Sequence, residues 1–324
     1  MQRQTPIASP FDAFATSRDV LRDIDLSGRT ALVTGGYSGL GLEMTRSLAR
    51  SGARVIVPVR SLEKAQAALA ALDTVEIARV ELTDPASIDR FADEVLQTGR
   101  PLDILIHSAG IMAPPLERDA TGNESQFAVN HLAPFRLTDR LGPALRAADA
   151  ARVVVLSSRA HRIAGVDFDD LNFQTRDYAP WVAYGQSKTA NALYALELDR
   201  RARGSGVRAF SVHPGSILTD LARHLTPEQI GTFGAYNADG SVRVDPLNDL
   251  KTVEQGAATA LWCATSPLLA ESGGVYCEDC NVAPLRRADD ARKDGVREWA
   301  ADPDAAARLW ALSETLAGRK TTGW

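Results

Sequence analysis

The sequence predicts an open α/β fold in which a doubly wound, mainly parallel sheet carries helices on both faces. Three observations point to it. Short runs rich in β-branched residues alternate with longer helical patterns, as in successive βαβ units. The strand-like runs are almost continuously apolar, as expected of parallel strands buried on both faces. A glycine-rich turn also joins the first strand to the first helix, where backbone N–H groups can face a phosphate.

The elements follow in chain order. Residues 30–34 (TALVT) read as a strand and 40–51 as a helix. Residues 54–59 (RVIVPV) form a second strand, 62–72 an Ala-rich helix and 75–82 a third strand. Asp84-Pro85 starts the next helix, because aspartate caps and proline suits the first helical position. Strands are expected at 102–107 (LDILIH), 152–157 (RVVVLS) and 207–213, with helices near 124–146 and 183–203. Residues 216–250 break the rhythm, with many turn residues and few apolar ones. They read as an excursion over the sheet edge, a setting common for substrate loops.

Composition narrows the function. Apolar residues make up 45% of the 324 and charged residues 24%, ordinary for a globular chain. A net charge of −5, with arginines scattered, argues against a nucleic-acid partner. Three cysteines cannot build a disulfide framework. Cys277 and Cys280 form a C-x-x-C pair without the second pair that zinc would need, so no metal is expected and both read as plain thiols. The first 27 residues lack an apolar signal segment, and no run reaches the 18 apolar residues of a membrane span. A cytoplasmic enzyme without membrane contact is the expectation.

Thr34-Gly35-Gly36-Tyr37-Ser38-Gly39-Leu40-Gly41 occupies the strand–helix turn with the spacing T-G-x-x-x-G-x-G. Arg60 lies nineteen residues beyond Gly41, at the end of the second strand. An acid near that point would favour the ribose hydroxyl of NAD, whereas arginine can pair with the 2′-phosphate of NADP. Further along, Tyr184 and Lys188 match Y-x-x-x-K on one helix face, where an ammonium can lower the pKa of a phenol and make it a usable acid/base. Ser157-Ser158 ends a strand at the ligand-binding edge, Asn130 stands in F-A-V-N-H-L, and Pro214-Gly215 follows the 207–213 strand with Thr219 just beyond.

In this order the set resembles the short-chain dehydrogenases/reductases, from about Leu26 to the end of the chain. The resemblance implies a Rossmann-type fold of about seven strands, an N-terminal arm at 1–25 and one catalytic domain at 26–324. It implies a tetrad of Asn130, Ser158, Tyr184 and Lys188. Ser158 would orient the substrate oxygen, Tyr184 would exchange the proton, Lys188 would also bond the nicotinamide ribose, and Asn130 would hold a water. Gly35, Tyr37, Ser38, Gly39, Leu40, Gly41, Ser108, Ala109, Gly110, Pro214 and Gly215 would line the cofactor. Ile217 and Thr219 would meet its carboxamide, and Glu81 and Leu82 its adenine. NADP(H) is the preferred cofactor, with NAD(H) possible.

Residues 168–172 (FDDLN), 255–258 (QGAA) and 264–267 (ATSP) look like the retinol-dehydrogenase-like branch, whose members often reduce bulky apolar carbonyls. His107-Ser108-Ala109-Gly110 departs from the family's N-N-A-G, and the absence of an apolar anchor makes retinoids a poor default substrate. His107, His131, His161 and His213 read as structural. Of Phe168, Phe173 and Trp181, one or two would line the pocket. The helices near 124–146 and 183–203 are where many relatives pair, which implies a homodimer or homotetramer. The alternatives are a catalytically silent dinucleotide-binding regulator, and an isomerase or dehydratase on the same fold.

Overall fold

The computed structural model describes residues 4–237, 239–322 and 324; residues 1–3 of the expected arm, residue 238 of the excursion and residue 323 lie outside the described residues. The strands are β1 (Thr30–Thr34), β2 (Arg54–Val59), β3 (Val75–Arg79), β4 (Ile104–His107), β5 (Ala151–Leu156), β6 (Val207–Val212), β7 (Val275–Glu278) and β8 (Asn281–Val282). They lie in one sheet in the order β3-β2-β1-β4-β5-β6-β7-β8. The first seven run parallel and β8 returns antiparallel beside β7. The sheet thus has eight strands rather than about seven, because a tight turn at Asp279 and Cys280, both at positive φ, folds a two-residue edge back. The expected third strand stops at Arg79, leaving Glu81 and Leu82 in the turn beyond it.

The helices are α1 (Ser17–Leu21), α2 (Gly39–Arg50), α3 (Leu62–Leu69), α4 (Pro85–Gln97), α5 (Ser125–Phe127), α6 (Ala133–Arg146), α7 (Pro180–Arg201), α8 (Pro227–Thr232), α9 (Val253–Thr265) and α10 (Pro303–Leu316). Consecutive strand residues feed opposite faces. Ala31 and Val33 join Met44 and Leu48 of α2 and Leu261 and Trp262 of α9. Leu32, between them, joins Phe91 of α4, Leu137 of α6 and Tyr194 of α7. Burial on both faces is why β1, β4 and β5 read as unbroken apolar runs.

Two terminal segments depart from expectation. The arm is strapped down: Gln4 Nε2 donates to the carbonyls of Tyr276 (2.7 Å) and Ala283 (2.6 Å), and Val20 and Leu21 enter the core. At the other end, α10 lies on α6 and α7. Trp310 stacks on Tyr194 at 5.9 Å and meets Phe135 edge-on at 5.0 Å, while Arg201 covers its ring at 4.6 Å. The chain's own last helix thus packs on α6 and α7, the two helices expected to pair with another subunit.

The expected helix near 124–146 is interrupted by a π-helical turn, Ala128–Leu132, between α5 and α6. The excursion at 216–250 is as irregular as its composition implied, with α8 and two 3-10 turns but no buried residue in any of them. Its two feet are joined, since Ser216 N donates to Asp249 O at 2.7 Å and Lys251 N to Ser216 O at 3.1 Å. Among the described residues no helix is long and apolar enough to cross a membrane.

Candidate active site

The strand order reverses between β1 and β4, and crevices at such switch points, beyond the carboxyl ends of the strands, are where open α/β sheets bind ligands. The glycine loop leaves β1 there. Gly35 has φ of 68° and approaches the segment after β4 so closely that a Cβ would lie 3.0 Å from Ala109 Cα. At Gly41 a Cβ would lie 2.2 Å from the Gly35 carbonyl oxygen, so the first turn of α2 can pack under the loop only with glycine. Thr34 Oγ ties both sides together by accepting from the N–H groups of Ser108 and Ala109, each at 3.1 Å.

Several of the helices are capped by their own side chains. Asp84 caps α4, Thr252 caps α9 and Asp302 caps α10 with their own side chains. Ser38 makes no side-chain cap to α2, and no acid stands in its first turn. The N–H groups of that turn and the positive end of the helix dipole are thus left for an external anion, which fits a dinucleotide pyrophosphate. Thr219 closes over this turn, its Cβ 3.3 Å from where a Gly39 Cβ would stand. Ile217 and Leu40 converge on Gly256 of α9, each with a methyl 2.7 Å from its Cβ position. The two loops expected to share the cofactor therefore touch. Arg60 is exposed just beyond β2, at the same sheet edge. Glu81 accepts from Thr83 N (3.2 Å) and Thr83 Oγ (2.9 Å), forming a self-contained turn beyond β3.

Four predicted residues converge at the ends of β4 and β5. The Ser158 side chain stands close enough to the Tyr184 phenol to favour its ionisation, and its Oγ accepts from Ala160 N–H at 3.1 Å. Lys188 Nζ donates to the Leu156 carbonyl at 2.9 Å and lies 5.5 Å from the centre of the Tyr184 ring. Asn130 sits in the π-turn, a device common at functional sites. Its Oδ1 accepts from Ile111 N–H at 2.9 Å, and its Nδ2 donates to Ile111 O and Ser187 Oγ, both at 3.0 Å. A Cβ on Gly110 would come within 3.0 Å of Asn130 Oδ1 and 3.8 Å of Lys188 Nζ, so Gly110 keeps these two groups open to each other.

The electrostatics correct one expectation. Lys188 was expected to pull the phenol pKa down. Instead burial pushes Tyr184 up to about 12, with Ser158 opposing, and pushes Lys188 down to about 7. The ammonium faces a carbonyl rather than the phenol oxygen, so desolvation dominates both groups.

Buried His107, His131 and His161 are each held by hydrogen bonds. His107 Nε2 meets Thr138 Oγ at 2.8 Å and His131 Nε2 meets Ser313 Oγ at 2.7 Å. His161 Nδ1 lies 2.8 Å from Ser158 O, and its Nε2 accepts from Arg297 N at 3.1 Å. Cys277 and Cys280 are buried free thiols, and burial pushes Cys280 up to about 12. Of the aromatics, Phe173 packs inside against Tyr178 and Phe168 carries Arg308. Trp181 alone of the three touches the centre, 6.0 Å from Tyr184 and 5.6 Å from Phe233 of the excursion.

Sequence reading missed two polar groups. Buried Glu124 caps the N–H groups of Gln126 (3.0 Å) and Phe127 (2.8 Å) and accepts from the Tyr178 hydroxyl at 3.1 Å. It looked like an ordinary helix start. The other is Asp249, buried beside His213. Two open clefts of about 310 and 300 Å³ lie elsewhere, near Arg208 and Glu271 before β6, and hold none of these groups.

The short chain dehydrogenase family profile matches residues 29–230. A Streptomyces lividans protein named "Probable oxidoreductase" is 45% identical over 295 residues, covering 89% of this chain and 97% of that one. Mouse retinol dehydrogenase 12 is 36% identical, covering 91% and 88% respectively. Among solved structures, an uncharacterised protein from Mycobacterium paratuberculosis superposes with a TM-score of 0.73 at 35% identity, covering 95% of this chain and 99% of that one. The Pseudomonas aeruginosa RhlG/NADP complex superposes at 0.61 and 24% identity, covering 78% and 94%, a likeness of fold alone. With its glycine loop and its Tyr–Lys helix in place, the chain belongs to the short-chain dehydrogenase/reductase family, on its retinol-dehydrogenase-like side, and is an oxidoreductase acting on CH–OH or C=O groups with a nicotinamide dinucleotide.

Proposed function

We propose that the chain is an NADP(H)-dependent reductase or dehydrogenase of bulky, largely apolar carbonyl compounds and secondary alcohols, with Tyr184 as the general acid/base. The observation that carries this reading is the convergence of Ser158, Tyr184 and a buried Lys188, whose Nζ lies 5.5 Å from the centre of the Tyr184 ring. Because Ala160 N–H already occupies one lone pair of Ser158 Oγ, the serine proton is free to point at the phenol oxygen or at a substrate oxygen beside it. A substrate oxygen held by both hydroxyls would be oriented and protonated by the same pair. Bound at the glycine loop, NADP(H) supplies the hydride. Lys188 and Asn130, facing each other across Gly110, would pass the proton onward from Tyr184 through a water.

Arg60 supports the choice of NADP(H), since an exposed guanidinium at the end of β2 suits a 2′-phosphate and no acid replaces it there. Apolar substrate preference is supported by Trp181 and Phe233, which continue from Tyr184 toward the excursion as an aromatic wall. The test is a panel of aldehydes, ketones and alcohols of rising apolar size, followed at the NADPH absorbance band with NADH in parallel. Turnover with NADPH that improves with apolar size is expected. No net cofactor turnover, or a clear preference for NADH, overturns the reading.

A further inference from the structure

Arg159, His213 and Asp249 close a hydrogen-bonded ring next to the reaction centre. Arg159 N–H donates to His213 Nδ1 at 3.2 Å, which leaves the ring proton on Nε2. That nitrogen donates to the Asp249 carboxylate, 3.0 and 3.1 Å from its two oxygens. The Arg159 guanidinium returns to the same carboxylate at 2.9 Å, and the Ser216 hydroxyl adds a fourth contact at 2.9 Å.

The three members come from three parts of the site. Arg159 directly follows Ser158. His213 directly follows β6 and precedes the Pro214–Gly215 loop. Asp249 stands at the distal foot of the excursion, with a left-handed φ of 71° that aspartate tolerates better than most residues. Its side chain is 6% exposed, so the carboxylate is desolvated and its three donors compensate it. Burial works against ionisation, yet His213, Arg159 and Ser216 together hold the carboxyl at about 2.

Joining the feet of the excursion does not require this carboxylate. Backbone bonds already do that, from Ser216 N to Asp249 O (2.7 Å) and from Lys251 N to Ser216 O (3.1 Å). What the carboxylate adds is the link to Arg159 and His213, which leads away from the excursion and into the serine turn. We infer that Asp249 is a positioning residue, whose carboxylate sets the Ser158 turn, the loop that follows β6 and the foot of the excursion in one geometry. Ordering of the excursion and alignment of Ser158 are then one event. The inference rests on the reading of Ser158 and Tyr184 as the reaction centre.

The test compares Asp249→Ala with Asp249→Asn in the full chain. Asparagine keeps an oxygen for His213 and Ser216 but loses the charge that faces Arg159. Amide hydrogen exchange is read over residues 158–163 and over 214–250. The ring predicts faster exchange in both segments for Asp249→Ala, with Asp249→Asn intermediate in 158–163. Faster exchange confined to 214–250 overturns the inference, because Asp249 would then anchor only its own loop. Where Asp249→Ala does not fold, Asp249→Asn and Arg159→Gln decide on the same two segments. The exchange result stands whether or not the wild-type chain reduces any carbonyl, so failure of the functional reading and failure of the ring are seen separately. With turnover in hand, kcat per NADPH-binding site should fall roughly ten- to a hundredfold in Asp249→Ala while NADPH affinity changes little, the signature of misplaced groups. A loss of binding sites with unchanged kcat per site marks a merely structural role and also overturns it.

Discussion

The sheet frame and the 216–250 excursion are built by different physics. In the frame, β1, β4 and β5 are buried along their whole length and packed by helices on both faces. In the excursion, no residue of α8 or of the two 3-10 turns is buried, while Phe233, Tyr236, Val242, Val244 and Leu247 are exposed. The first is held by apolar burial and the second by polar bonds at its feet. Apolar burial makes a cooperative unit, whereas a loop held at its feet can open locally at small cost. The reaction centre lies on the border: Tyr184 and Lys188 belong to the frame, and Trp181 passes contact on to Phe233. Rigid chemistry and adjustable access are thereby separated by a few side chains.

The largest expected effect breaks the frame alone. His107, His131 and His161 are buried neutral, and burial pushes each from 6.5 down to about 3. The unfolded chain takes up these protons near pH 6.5 and the folded chain does not, so stability is full above about 6.5 and falls as the pH drops toward about 3. Denaturant midpoints should decline through that window, and a flat profile would contradict the burial of these rings. Next comes a pair of truncations. Leu105→Ala, fully buried in β4, should cost about 2–5 kcal/mol in urea unfolding, whereas Leu247→Ala, 77% exposed in the excursion, should stay within about 0.5 kcal/mol. Equal losses would mean that the two regions unfold as one.

At the border, Tyr184→Phe should lower turnover by at least roughly a hundredfold with NADPH affinity nearly unchanged. Near-full activity would remove Tyr184 from the chemistry. Arg60→Asp should weaken NADPH binding while NADH is tolerated relatively better, read by titrating both cofactors. The smallest effect sharpens the comparison from the excursion side. Phe233→Ala with Tyr236→Ala should leave thermal stability and NADPH binding almost untouched and raise the Michaelis constant for bulky substrates more than for small ones. An unchanged constant across the series would deny the excursion a part in selectivity.

The frame was legible because its strands are continuous apolar runs and its turns carry glycine where backbone crowding requires it, as at Gly35 and Gly41. Most of the expected tetrad converges for the same reason: Tyr184 and Lys188 share a helix face, and Ser158 lies just beyond the end of β5. The π-turn at Asn130 was not legible, since one extra residue in a helical turn leaves no mark on apolar periodicity. Neither was the Asp249 ring, which joins residues 54 and 36 positions apart through bonds that involve side chains. The phenol's pKa was misjudged because spacing gives proximity to Lys188 but not the desolvation that both groups undergo. Strand β8 escaped because two residues carry no period.

Helix α10 has a consequence of its own. It seats Trp310, Leu309 and Ala306 on α6 and α7, the face through which relatives were expected to pair. A covering element on the same chain docks at an effective concentration set by its tether, not by how much protein is present. The walls of the site that the π-turn and α7 carry, Asn130 and Tyr184 among them, are then buttressed at any dilution. Specific activity should hold constant as the enzyme is diluted toward nanomolar working concentrations, a property that a site braced by a second subunit would lose.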